Sequence, residues 1–195
     1  MNLARPARCR CALNQTDGAR AILGHIEAHR SYDGGYAENP EQATGTAYGC
    51  FLAAGAYQDL EATIDDPEAM AESLRSLQGP DGGFGNSADI PAASAPATAA
   101  VLTTLRHIYQ PISEAAVAWL VGQINSDGGI GAWGGAPAPD LLSTAVSLHA
   151  LRHCGVRLDD VSQRCLDFCD SLWSSRGGFR GHPSDETLDC EYTFY

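Results

Sequence analysis

Gln78, three residues on Asp81-Gly82-Gly83-Phe84, is the stretch on which the fold turns. Its counterparts are Asp33-Gly34-Gly35-Tyr36, Asp127-Gly128-Gly129-Ile130 and Arg176-Gly177-Gly178-Phe179, with starts 48, 46 and 49 residues apart. Such a period marks an array of like supersecondary units. A threonine travels with the motif: Thr98, Thr144 and Thr193 each lie 17 residues after its start, and Thr46 lies 13 after its own, as if the first loop were four residues shorter. Two adjacent residues without Cβ let the chain turn sharply with positive φ and let stacked units approach closely.

Outward from each turn the pattern is helical. Asp66-Pro67-Glu68 supplies an N-cap, a proline at the first helical position and an acid in the first turn, and Met70, Leu74 and Leu77 follow at helical spacing. Ser113 is expected to cap a helix carrying Val117, Leu120, Val121 and Ile124, and Asp160 one carrying Val161, Cys165, Phe168, Cys169 and Leu172. These one-sided helices belong on an outer surface. The segments after the turns, Thr98 to Tyr109 and Leu141 to Cys154, are rich in Ala, Val and Leu nearly all round and read as inner helices. Alternating outer and inner helices stack into a solenoid or a ring. The expected architecture is all-α: an open arc of about three and a half helical hairpins over residues 17–195, after a flexible tail at 1–16 that holds Cys9 and Cys11.

Composition narrows the function. The 195 residues carry a net charge of −12, which repels a phosphate backbone and speaks against nucleic acid as a partner. All 12 basic residues are Arg, so this chain supplies no Schiff-base lysine and no Walker A loop. No apolar run reaches the 18 or so residues of a membrane span. Residues 1–15 contain three arginines but no apolar signal core, making the cytoplasm the expected compartment. Seven scattered cysteines read as reduced thiols.

The Gln78 and Gln123 turns resemble the repeat of the prenyltransferase and squalene cyclase superfamily. The stretch Gly177-Gly178-Phe179-Arg180-Gly181-His182-Pro183, followed by Asp189-Cys190-Glu191-Tyr192-Thr193-Phe194-Tyr195, resembles in particular protein prenyltransferase β subunits of the type II geranylgeranyl transferase kind. The resemblance implies an αα-toroid around an apolar cavity for isoprenoid chains. It also implies transfer of an isoprenyl group from a diphosphate to a cysteine thiol, with a catalytic zinc held by an Asp, a Cys and a later His. Asp189 matches the ligand Asp, and Glu191 stands at the Cys position. His182 stands where the family has a diphosphate-gripping Arg, and Asp185 near its Lys. Two hard carboxylates without a thiolate suit zinc poorly; Asp189 and Glu191 read equally well as caps near the start of an inner helix.

Tyr36, Phe84, Trp133, Phe179, His182 and Tyr192 are the candidates for lining the cavity or gripping a ligand. The aromatics among them could instead wedge neighbouring repeats together. Asp65-Asp66 and Asp159-Asp160 read as helix caps, because no terpene-enzyme acidic motif surrounds them. His25 with His29, and His149 with His153, stand one helical turn apart without the glutamate of a metalloprotease motif, and read as packing or surface residues. Cys165 and Cys169 read as small buried hydrophobes. Three functions stay open: the prenyltransferase-like protein, a non-catalytic repeat module that takes an apolar ligand or a protein partner, and a terpene-cyclase relative. The open end of the arc, flanking the apolar Leu141 to Cys154 wall, also invites self-association.

Overall fold

The computed structural model describes residues 4–13 and 18–188. Four inner helices, α1 (Ala4–Ala12), α3 (Ala47–Asp59), α5 (Ala95–His107) and α7 (Leu141–His153), pack each against the next, and α2 (Ala19–Glu27), α4 (Pro67–Arg75), α6 (Glu114–Val121) and α8 (Ser162–Ser171) form the outer layer. The described arc is not a closed barrel. Each Gly-Gly turn follows an outer helix. Its first glycine has φ of 89°, 95°, 89° and 87° at Gly34, Gly82, Gly128 and Gly177. The preceding aspartate accepts from the second glycine's N–H, at 3.2 Å for Asp33, 3.3 Å for Asp81 and 3.0 Å for Asp127. Arg176 cannot do this; its own N–H donates to Ser174 Oγ at 3.2 Å.

Across every turn the chain makes one antiparallel backbone contact: Arg30 with Tyr36, Gln78 with Phe84, Ile124 with Ile130. In the fourth turn it lengthens into the two-residue strands β1 (Trp173–Ser174) and β2 (Gly178–Phe179), the one pair of strands among the described residues. The inner segments after the first three turns are helices.

The threonine register differs from the sequence expectation. Thr98 Oγ1 accepts from Phe84 N–H and Thr144 Oγ1 from Ile130 N–H, both at 2.9 Å, and in the first unit Cys50 Sγ accepts from Tyr36 N–H at 3.3 Å. The separation is 14 residues each time, so Cys50 is the counterpart and the first loop is not shorter. Thr46 plays another part: it is the N-cap of α3, accepting from Gly49 N–H at 2.9 Å, as Ser94 and Asp140 cap α5 and α7. A cap and a turn acceptor are both short polar side chains, which is why one threonine could be read as the other. Thr193 lies outside the described residues.

The stack is stitched by a recurring bond. The first N–H of α3, α5 and α7 donates to a carbonyl in the next turn at 2.8 Å: Ala47 to Asn86, Ala95 to Ala132, Leu141 to Gly181. This satisfies one of the orphan donors of a helix start. At the other end Glu61, Tyr109 and Gly155 adopt φ of 52°, 58° and 79°, and the next N–H returns to the last helical turn, Ala62 to Tyr57, Gln110 to Leu105 and Val156 to Leu151. That is the left-handed helix terminator.

Two further expectations change. Residues 4–12 of the expected tail form α1, with Ala7 fully buried and Arg8 Nε paired with Asp59 at 2.7 Å, so α1 stands as an inner helix beside α3; Cys9 and Cys11 sit exposed on it. Three arginines among its nine residues hide this helix in a hydropathy reading. Asp66 and Ser113 cap α4 and α6 as expected. Asp160 does not cap α8: that helix starts at Ser162 after Val161, and Ser162 N–H is satisfied by Leu158 carbonyl at 2.7 Å. Asp159 instead pairs with Arg157.

Candidate functional site

The inner helices present one face to the concave side, and its residues repeat in register. Tyr48, Pro96 and Leu142 occupy the first layer, Phe51, Ala99 and Ala145 the second, followed by Ala100 with Val146 and Thr103 with His149. Together with Phe179 and Cys169 they bound an open groove of about 610 Å³, within the roughly 300–1,000 Å³ typical of small-molecule pockets. The alanines are the deciding feature: three residues with single methyl side chains leave the depth, and Phe51, Leu142 and Phe179 form walls. α5 is held rigidly behind it, with Val101, Leu102 and Leu105 at most 1% exposed.

The groove is nearly uncharged. Burial, then Asp140, pushes the Tyr48 hydroxyl above the usual range. Burial, then Cys165 and Asp170, likewise raises the Cys169 thiol, so this sulfur stays protonated at neutral pH and is a poor nucleophile.

Among the sequence candidates, Phe179 lines this groove, half-buried and edge-on to Trp173 with ring centroids 4.9 Å apart. Tyr36 and Phe84 are 0% exposed inside their turns, the third turn filling the same place with Ile130. They wedge repeats rather than face the cavity. Trp133 lies one loop further on, 56% exposed, where its backbone meets Ser94 of the preceding unit. His182 Nδ1 accepts from Ser184 N–H at 3.2 Å and does not reach the groove. Asp189, Glu191 and Tyr192 lie outside the described residues. The concave alanines were missed; superposing the repeats would have found them, since Ala99 and Ala145 share one register.

A polar centre sits apart from the groove, at the first turn. Glu27 accepts from the hydroxyls of both Tyr36 and Tyr57, Arg30 Nε donates to it at 2.9 Å, and the Arg30 guanidinium lies 4.8 Å from the Tyr36 ring centre. Burial works to raise the Glu27 carboxyl, and bonds from Arg30, Tyr36 and Tyr57 outweigh it and hold it below the usual range. Burial and Glu27 push Tyr57 up to about 12. Every polar group here is satisfied from within, which makes it a lock on the turn.

Among the described residues no three His, Cys, Asp or Glu side chains gather to hold a metal ion. Among the described residues no helix is long and apolar enough to cross a membrane.

Stacked helical hairpins on Gly-Gly turns around an apolar concave wall define an αα-toroid protein. The prenyltransferase alpha-alpha toroid domain matches residues 7–85 and 98–195, and the chain belongs to that family. No curated protein matches it. The fold is similar to variants of the type II terpene cyclase MstE from Scytonema. With geranylgeranyl dihydroxybenzoate bound, one variant gives a TM-score of 0.66 at 16% identity over 88% of this chain and 53% of that one. With the product merosterolic acid A the values are 0.66, 16%, 88% and 54%. Another substrate complex reaches 0.69 at 15% identity over 94% and 58%. The chain therefore spans little more than half of the cyclase's length, and the likeness is one of fold.

Proposed function

We propose that the concave groove holds an isoprenoid chain. The observation that carries this reading is the apolar trough over Ala99, Ala100 and Ala145 between aromatic and leucine walls. The prenyl-bearing ligands bound by MstE on the same fold support it. At about 0.8 kcal/mol per buried CH₂, a prenyl chain gains enough from such a trough to be anchored without any ion pair. The zinc that the family implies does not fit the donor set available: Asp189 and Glu191 are hard carboxylates, and the soft thiolate is missing. We therefore propose binding of the isoprenoid and derive no transfer step.

Titration with a fluorescent farnesyl analogue tests this. Saturable binding is expected, and Ala145→Trp, at an exposed position that fills the trough, should weaken it at least tenfold while leaving the melting temperature in place. A wild-type chain that shows no saturable binding, or a variant that binds equally well, overturns the reading.

A separate observation favours a protein contact at the end of the arc. Leu166 is 56% exposed, Trp173 49% and Leu142 43%. We infer that this apolar edge takes a second copy of the chain. Sedimentation should show concentration-dependent association that Leu166→Glu abolishes; a monomer at all concentrations counts against it.

A further inference from the structure

His149 and His153 stand one turn apart on α7, both exposed, with ring planes 12° from parallel and centroids 5.8 Å apart. Side chains at this spacing are neighbours on a helix surface, and two histidines at i and i+4 on one face are the carrier geometry of helix-borne metal sites. Neither ring is engaged in a hydrogen bond among the described residues. The other histidine pair differs on this point: His29 Nδ1 faces the Ala37 carbonyl at 3.2 Å, which occupies one of its two nitrogens.

The helix beneath the pair is well held. Asp140 caps α7, Thr144 ties it to the Ile130 turn, and Ser147, Ala150 and Leu151 are 0% exposed on its inner side. Binding therefore costs rotamer freedom in two side chains and little else. His149 also borders the apolar groove, so an ion here would sit at the groove's edge.

We propose that His149 and His153 form a two-imidazole site for a divalent transition metal ion. Imidazole suits Cu²⁺, Ni²⁺ and Zn²⁺, with Cu²⁺ held most tightly in the divalent series. Two protein ligands leave the remaining coordination positions to water or to an oxygen donor from a bound molecule. Cys154, next in the chain, is the C-cap of α7 and packs against the core. The site depends on the two imidazoles alone, so it stands whether or not the groove takes an isoprenoid.

Nickel is the probe, in a chain carrying Cys9→Ser and Cys11→Ser so that the exposed thiols do not compete. Calorimetric titration should find one Ni²⁺ per chain, with His149→Gln and His153→Gln each weakening it at least tenfold and His25→Gln leaving it unchanged. Paramagnetic broadening in the chain with both histidines should fall first on the His149 and His153 ring protons. Nickel binding that is absent, that survives the double His149→Gln/His153→Gln change, or that broadens other histidines first overturns the proposal.

Discussion

Phe84→Ala is expected to remove about 3–5 kcal/mol of stability, the range for emptying a fully buried phenylalanine site. Phe84 is 0% exposed, its N–H is held by Thr98, and its ring fills the turn between units, where collapse is resisted by helices on both sides. Against a total of about 5–15 kcal/mol for a native protein, such a loss takes a large share. Urea denaturation should show it as a lower midpoint, while the folded fraction of the variant binds a prenyl probe with wild-type affinity. Phe179→Ala should do the reverse. That ring is half-buried and borders the groove, so its removal costs less stability and weakens the probe several-fold. The pair separates the two roles that an aromatic in a Gly-Gly turn can have; equal effects of both variants on binding would contradict the assignment.

Gly128→Ala is expected to cost about 2–5 kcal/mol, from left-handed strain and from overpacking together. Its φ is 89°, and an added Cβ would lie 2.3 Å from the Arg164 carbonyl carbon and oxygen, backbone atoms of α8 that cannot turn aside. Gly177→Ala is the internal control. Its φ is 87°, yet the Cβ meets nothing within 4 Å, so only the strain of roughly 1–2 kcal/mol should appear. Thermal melts of the two variants side by side decide the matter. If both lose the same amount, the contact between the turn and the following outer helix does not hold the stack together.

The period of the chain and the two layers of helices were legible because their causes are local. A Gly-Gly pair needs no partner to adopt positive φ, and Asp66-Pro67-Glu68 starts a helix wherever it is placed. The functional surface was less legible. A ring following two glycines can point into its own turn or out toward a cavity, and residue type does not distinguish Tyr36 and Phe84 from Phe179. What separates them is their packing: Tyr36 and Phe84 are fully buried in their turns, whereas Phe179 is half-buried and lines the groove.

The same division explains the registers. Thr46 and Thr98 look alike in a sequence, yet one caps α3 and the other accepts from a turn N–H, a role that Cys50 takes in the first unit. The sequence by itself determined the repeat, the turn geometry and the apolar wall of the inner helices, since periodicity, missing Cβ atoms and amphipathic spacing act over a few residues. Only the tertiary structure decided that residues 4–12 stand as an inner helix, that Ala99, Ala100 and Ala145 hollow a groove, and that Phe179 borders it. Those outcomes depend on which side chains neighbouring units bring to a shared surface, a relation between residues about 48 positions apart, the distance from Tyr48 to Pro96.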